Sequence, residues 1–71
     1  MKKKILIEGM NCEHCSARVE KALKEQEAVK EVTVDLTGKN ATVELSTELS
    51  DENIREIVED AGYDVIGIEN L

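Results

Sequence analysis

Six short segments with two different hydrophobic periods leave this chain little choice of fold. Ile54, Ile57, Val58 and Ala61 recur at i, i+3, i+4 and i+7, the stripe of an amphipathic helix. Ser50 precedes that stripe, and Asn53 three residues later makes it resemble a capping box, although Glu or Gln is the usual partner. Gly62 is placed to cap the other end. A second helix is expected from about Cys15 to Gln26, with Cys15, Val19, Ala22 and Leu23 on one face and Arg18, Glu20, Lys21 and Lys24 toward solvent. The other apolar runs have the period of strands. Lys3 to Glu8 puts Ile5 and Ile7 on one face and Leu6 on the other. Val29 to Leu36 alternates Val32, Val34 and Leu36 with Glu31, Thr33 and Asp35. Ala41 to Ser46 sets Ala41, Val43 and Leu45 inward, and Tyr63 to Glu69 forms the last strand. Thr37-Gly38-Lys39-Asn40 is a turn in which Gly38 and Asn40 can take positive φ, so the strands on either side should form an antiparallel hairpin.

The order strand, helix, strand, strand, helix, strand predicts an α+β fold. Its natural packing is a ferredoxin-like βαββαβ sandwich, a four-stranded antiparallel sheet with both helices on one face. Residues 1–71 are read as a single small domain. With no tryptophan, no phenylalanine and one tyrosine, the core must be aliphatic. No stretch is long enough to span a membrane, so no membrane insertion is expected. Met1-Lys2-Lys3-Lys4 imitates the start of a signal peptide, but the apolar run behind it ends at Glu8, which argues for a cytoplasmic protein. The net charge is −7, and no nucleic-acid partner is expected.

Chemistry is concentrated in Gly9-Met10-Asn11-Cys12-Glu13-His14-Cys15, which holds both cysteines and the only histidine. Two thiols three residues apart, where a loop becomes a helix, can turn to the same side. A helix N-terminus stabilises negative charge and so favours thiolates. Thiolates bind soft metals or exchange electrons. A pair so closely spaced staples nothing useful in a domain, which suggests a working thiol pair in a reducing compartment. The redox alternative is a thioredoxin-like oxidoreductase. Such folds usually need more chain and a cis-proline beside the pair, and this chain has no proline. The protein is therefore read as a binder and not an enzyme.

Gly9-Met10-x-Cys12-x-x-Cys15 at the first strand–helix junction resembles the heavy-metal-associated domain family. The resemblance covers essentially the whole chain, including the closing Ala61-Gly62-Tyr63-Asp64-Val65. The short form with Cys-x-His-Cys is similar to the family's stand-alone bacterial copper chaperones. The resemblance implies the ferredoxin-like fold, Cu(I) held by Cys12 and Cys15, and delivery to the metal-binding domain of a copper-transporting P-type ATPase. A copper-responsive repressor is a second expected partner. The chain is expected to be a monomer without metal, with a metal-bridged dimer as an alternative. Asn11 stands at the motif's variable position, and family members for divalent metals often carry an added acidic residue beside the first cysteine. Asn11 thus leans toward Cu(I), with a module for mercury, zinc or cadmium as the alternative, and a sensing domain cut from a larger pump as another.

The supporting residues each carry two readings. His14 either ligates metal or faces solvent, where it tunes the thiols or joins a dimer bridge. Met10 is read as a core side chain under the loop in preference to a thioether ligand. Tyr63 is either a packed ring at a strand start or, as the resemblance implies, a group beside the thiolates that shields them. From Met1 to Lys24 the cations Lys2, Lys3, Lys4, Arg18, Lys21 and Lys24 outnumber the acids Glu8, Glu13 and Glu20, so the dithiol end is expected to be locally basic on an acidic body, with Arg18 and Lys21 read either as a solvated face or as a partner-docking surface.

Overall fold

The computed structural model describes residues 1–10 and 13–71, so the readings placed on Asn11 and Cys12 lie outside the described residues. The elements run β1 (Lys2–Glu8), α1 (Glu13–Lys24), β2 (Val29–Asp35), β3 (Asn40–Leu45), α2 (Asp51–Asp60) and β4 (Asp64–Asn70). The strands form one antiparallel sheet in the order β2-β3-β1-β4, the ferredoxin-like arrangement expected from the element order. Cα partners such as Ile5 with Ala41 and Ile68, and Val43 with Val32, line up the inward residues across neighbouring strands. Both helices cover that face, α1 chiefly over β2 and α2 over β4.

The core is aliphatic. Ile5, Ile7, Val19, Leu23, Ala41, Val43, Ile54 and Val58 are fully buried. Val34, Leu36, Ile57, Val65 and Ile68 pack around them. Each fully buried Val, Leu or Ile side chain contributes about 1.5–3 kcal/mol of hydrophobic transfer, the main term opposing chain entropy in so small a molecule.

The element boundaries differ from expectation by a residue or two, each for a local reason. Helix α1 is displaced toward its start and ends at Lys24, where Gln26 N–H donates to the Leu23 carbonyl and tightens the last turn. Strand β2 stops at Asp35 because the Leu36 carbonyl already accepts the Lys39 N–H at 3.3 Å, closing the turn. Lys39, not Gly38 or Asn40, takes the positive φ there (55°). The neighbours are committed elsewhere. Gly38 N–H donates to Asp35 Oδ1, and a Cβ on Gly38 would sit 2.6 Å from the Asp35 and Asn40 side chains. Asn40 opens β3 and donates its side-chain N–H to the Gly38 carbonyl.

Strand β4 starts at Asp64, not Tyr63, because Tyr63 belongs to the helix stop. Gly62 N–H donates to the Glu59 carbonyl and Tyr63 N–H to the Val58 carbonyl, the paired bonds of a Schellman motif. Gly62 supplies the positive φ (100°) that this motif requires.

Strand polarity divides the molecule into two ends. The exit of β1, the β2–β3 turn, the end of α2 and the entry of β4 share one end, with the start of α1. The β3–α2 connection and the start of β1 lie at the other. At that far end Ser50 Oγ accepts the Asn53 N–H at 3.2 Å, the cap expected from the sequence. Lys3, only 12% exposed, places its Nζ 2.7 Å from Asp51 Oδ1 and donates to the Leu49 carbonyl at 3.1 Å.

Candidate metal centre

The backbone on both sides of the dithiol segment is fixed by the fold. On the β1 side, Ile7 is fully buried and its N–H donates to the Lys39 carbonyl at 2.9 Å. Gly9 then turns the chain with φ 92°, a value that side-chain-bearing residues rarely adopt. Met10 follows at 1% exposure within the core cluster. A large apolar side chain thus ties the chain after Gly9 into the core. On the α1 side, Glu13 and His14 are exposed in the first turn, and Ser16 Oγ donates to the Glu13 carbonyl at 2.9 Å. Glu13 there meets the positive end of the helix dipole.

Cys15 lies in that first turn, half-buried and packed against the core cluster. It is therefore not wholly outside the core, as a residue at a simple loop–helix junction would be. Its place on the Val19–Leu23 face gives it one wall of apolar packing. Cys12, its expected partner, lies outside the described residues. Among the described residues, no three His, Cys, Asp or Glu side chains converge on a common point. A closed cage of the zinc-structural type is therefore not built from them.

Tyr63 is brought to this end by two independent constraints. The Schellman bonds fix its backbone, and the β1–β4 register pairs Glu8 with Asp64, which sets Tyr63 alongside Gly9. A Cβ built on Gly9 would lie 3.6 Å from Tyr63 Cδ1, so the half-buried ring lies on the side of Gly9 where a side chain would project. The ring thus stands beside the first residue of the dithiol segment.

Arg18 and Lys21 are exposed, as expected, and line the groove between the helices opposite Asp60 and Ala61. Arg18 is three residues beyond Cys15, its neighbour one turn along the helix. Lys24 pairs at 3.5 Å with Glu20, both well exposed. Lys39 is a further cation at this end that the motif gave no reason to single out. Only its place in the β2–β3 turn, together with the sheet order, reveals it.

A protein-family model described as heavy-metal-associated domain matches residues 4–64. The copper chaperone CopZ of Staphylococcus epidermidis is 40% identical over 62 residues, spanning 86% of this chain and 91% of that one. A probable copper-importing P-type ATPase A of Enterococcus hirae is 43% identical over 61 residues, 86% of this chain but 8% of the ATPase. A solved structure described as CopZ metallochaperone superposes with a TM-score of 0.87 at 30% identity, covering 93% of this chain and 100% of its own. The glycine-led dithiol segment at the β1–α1 junction, the sandwich behind it and these matches together establish that the chain belongs to the heavy-metal-associated domain family.

Proposed function

We propose that this chain, acting as one unit, is a cytosolic Cu(I) carrier that holds the ion on Cys12 and Cys15 and passes it on by ligand exchange. The carrying observation is the position of Cys15, half-buried in the first turn of α1 and three residues from Cys12 on a segment that Gly9 and Met10 anchor. Cu(I) is soft, prefers thiolates and accepts low coordination numbers, so two sulfurs suffice for it. The relatives support the same reading, since two of those described are named for copper.

Transfer needs no redox step. A thiolate of the acceptor adds to the copper–bis-thiolate centre, giving a three-sulfur intermediate. One of the carrier's thiolates then departs, and a second exchange completes the handover. The natural acceptor is the metal-binding domain of a copper-transporting P-type ATPase, because a related domain forms part of such a pump. A copper-responsive repressor and a metal-bridged dimer are lesser alternatives of the same chemistry. His14, exposed beside Cys15, and Tyr63, beside Gly9, act on the centre from outside the ligand set in this reading.

Arg18 and Lys21 dock the acceptor. Reversing both to Glu should slow transfer at low salt and leave Cu(I) affinity nearly unchanged, and the difference should shrink as salt rises, because screening acts over about 8 Å at physiological ionic strength. Equal rates at low salt would reduce these cations to a solvated face. The ion itself is tested by titrating the reduced protein with Cu(I) and Zn(II) in competition. Preference for Zn(II) would favour the divalent-metal module over the copper carrier, and turnover in a disulfide reductase assay would favour an oxidoreductase.

A further inference from the structure

Strand β1 approaches its exit beside a break in its ladder. On the β4 side Leu6 pairs with Gly67 and Ile7 with Val65, so Ile66 is an extra residue, and pairing resumes only for Ile7 and Glu8 before the chain turns at Gly9. On the β3 side the register ends with Leu6 opposite Asn40. Past that pair the Ile7 N–H donates to the Lys39 carbonyl at 2.9 Å, so on this side the β2–β3 turn holds the exit of β1. Ile7 lies two residues before Gly9 and three before the buried Met10.

The direction of the Lys39 carbonyl is set by two side chains. Asp35 and Asn40 are cross-strand partners at the mouth of the turn. Asp35 Oδ1 accepts the Gly38 N–H at 2.9 Å, and Asn40 Nδ2 donates to the Gly38 carbonyl at 3.1 Å. The Lys39 N–H donates to the Leu36 carbonyl at 3.3 Å. The peptide between Gly38 and Lys39 is thus held at both its oxygen and its N–H, which leaves the next carbonyl, that of Lys39, little freedom. Gly38 does not take a positive φ. What requires a glycine there is room, since a Cβ would sit 2.6 Å from both Asp35 Oδ2 and Asn40 Nδ2.

We propose that Asp35 and Asn40 are positioning residues of the metal centre: by fixing the β2–β3 turn they aim the Lys39 carbonyl at Ile7 and hold the entry to the dithiol segment in the geometry that binds the ion. This rests on the copper-carrier reading and extends its site to a turn that shares no residue with the motif. Apparent affinity falls with the fraction of time a binding segment spends outside its competent geometry. A loosened turn frees the exit of β1 and lowers that fraction, while the fully buried Ile7 side chain keeps the strand itself in the sheet.

The test combines Cu(I) affinity, by competition with a chelator, and hydrogen exchange at the Ile7 N–H of the metal-free protein. Asp35→Ala removes the acceptor of the Gly38 N–H, and Gly38→Ala forces the Asp35 and Asn40 side chains away from the turn. Each should weaken Cu(I) binding about threefold or more and speed exchange at Ile7 relative to the rest of β1. Charge alone acts in the opposite sense, because losing a carboxylate from this end favours the negatively charged copper–bis-thiolate centre. Asp35→Asn keeps an oxygen for the Gly38 N–H and should restore both wild-type affinity and wild-type exchange. Ser50→Ala, a cap lost at the far end, sets the scale for a general loss of stability and should change neither. Wild-type affinity in both Asp35→Ala and Gly38→Ala would overturn the positioning role. So would an Asp35→Asn variant as weak as Asp35→Ala, or an equal weakening in Ser50→Ala. If wild type itself fails to bind Cu(I) tightly, the carrier reading falls, and the positioning role with it whatever the exchange at Ile7.

Discussion

The two ends of α2 differ: at the far end charge and hydrogen bonding agree with the helix, and at the dithiol end charge does not. Ser50 caps α2, Asp51 and Glu52 meet the positive end of its dipole, and Lys3 reaches from β1 to tie Asp51 and the Leu49 carbonyl together. The opposite end of the same helix carries Glu59 and Asp60 and depends on Gly62 at positive φ. Nearby, Gly9 and Lys39 also hold positive φ. One end is arranged for stability. The other gathers backbone turns at positive φ, charges that oppose the α2 dipole and a thiol, and it is the end to which the proposed metal handover is assigned. The two ends should therefore respond differently to mutation, one in melting temperature and the other in metal chemistry.

The largest effect is expected at the dithiol. Cys12→Ser or Cys15→Ser should each weaken Cu(I) binding at least about a hundredfold, since a hydroxyl is a hard and poorly ionised replacement for a thiolate. Cys15 packs on the core cluster, so Cys15→Ser should also lower the melting temperature slightly, without unfolding the protein. Competition with a Cu(I) chelator and a thermal melt on the same sample separate the two effects. Wild-type affinity in either variant would refute the two-thiolate centre.

Val58 tests whether the two ends are mechanically independent. Its side chain is fully buried in mid-helix, and its carbonyl accepts the Tyr63 N–H that places the ring beside Gly9. Val58→Ala should cost about 1–3 kcal/mol through lost burial and the cavity left behind. The backbone bond survives the change, so metal preference should not move. A melting temperature equal to wild type would contradict the burial of this face, and altered metal preference would show that core packing reaches the dithiol.

These contrasts also explain what could be read from the sequence. The six elements and their order were legible because their periods of 2 and 3.6 are imposed by the burial of residues such as Val43 and Ile54, which lie fully inside. Element ends were less legible because they depend on single hydrogen bonds, such as Lys39 N–H to the Leu36 carbonyl. The positive φ at Lys39 was out of reach, since propensity favours its two neighbours and only their other commitments exclude them. The Lys3 contacts span 46 and 48 residues and leave no local trace; Lys3 reads merely as part of a basic start. At the site, the dithiol stands out because residue type and spacing alone mark a pair of thiols at a loop–helix junction. The closeness of Tyr63 to Gly9 required the β1–β4 register, which no single segment encodes.

The two caps of α2 give the next comparison, at similar size. Gly62→Ala should cost about 1 kcal/mol, because an alanine resists positive φ even though no atom lies within 4 Å of the added Cβ. Ser50→Ala should also cost about 1 kcal/mol by leaving the Asn53 N–H without its cap. What should distinguish them is Cu(I) affinity. Gly62→Ala disturbs the motif that positions Tyr63, while Ser50→Ala acts at the opposite end. Chelator competition on both proteins checks this, and a shift in Ser50→Ala alone would invert the comparison.

The smallest effect is expected for Asp51→Asn. Its carboxylate lies 2.7 Å from Lys3 Nζ, but its side chain is 55% exposed, so water and salt screen most of the attraction. The amide oxygen of asparagine can still accept the Lys3 proton, and the Leu49 carbonyl remains a second acceptor. What disappears is the charge: its share of the ion pair and its favourable position in the first turn of α2. Together these should amount to roughly 0.5–1 kcal/mol at low ionic strength. The loss should shrink toward zero in high salt, because both parts are electrostatic and one partner is exposed. Lys3→Met removes the cation from a position only 12% exposed and leaves the Leu49 carbonyl without that donor, so it should cost more and keep most of its cost in salt. Denaturant melts of both variants at low and high salt test the assignment. A loss in Asp51→Asn that persists in high salt would mean that Asp51 holds the far end through geometry, and that its agreement with the surrounding charges is incidental.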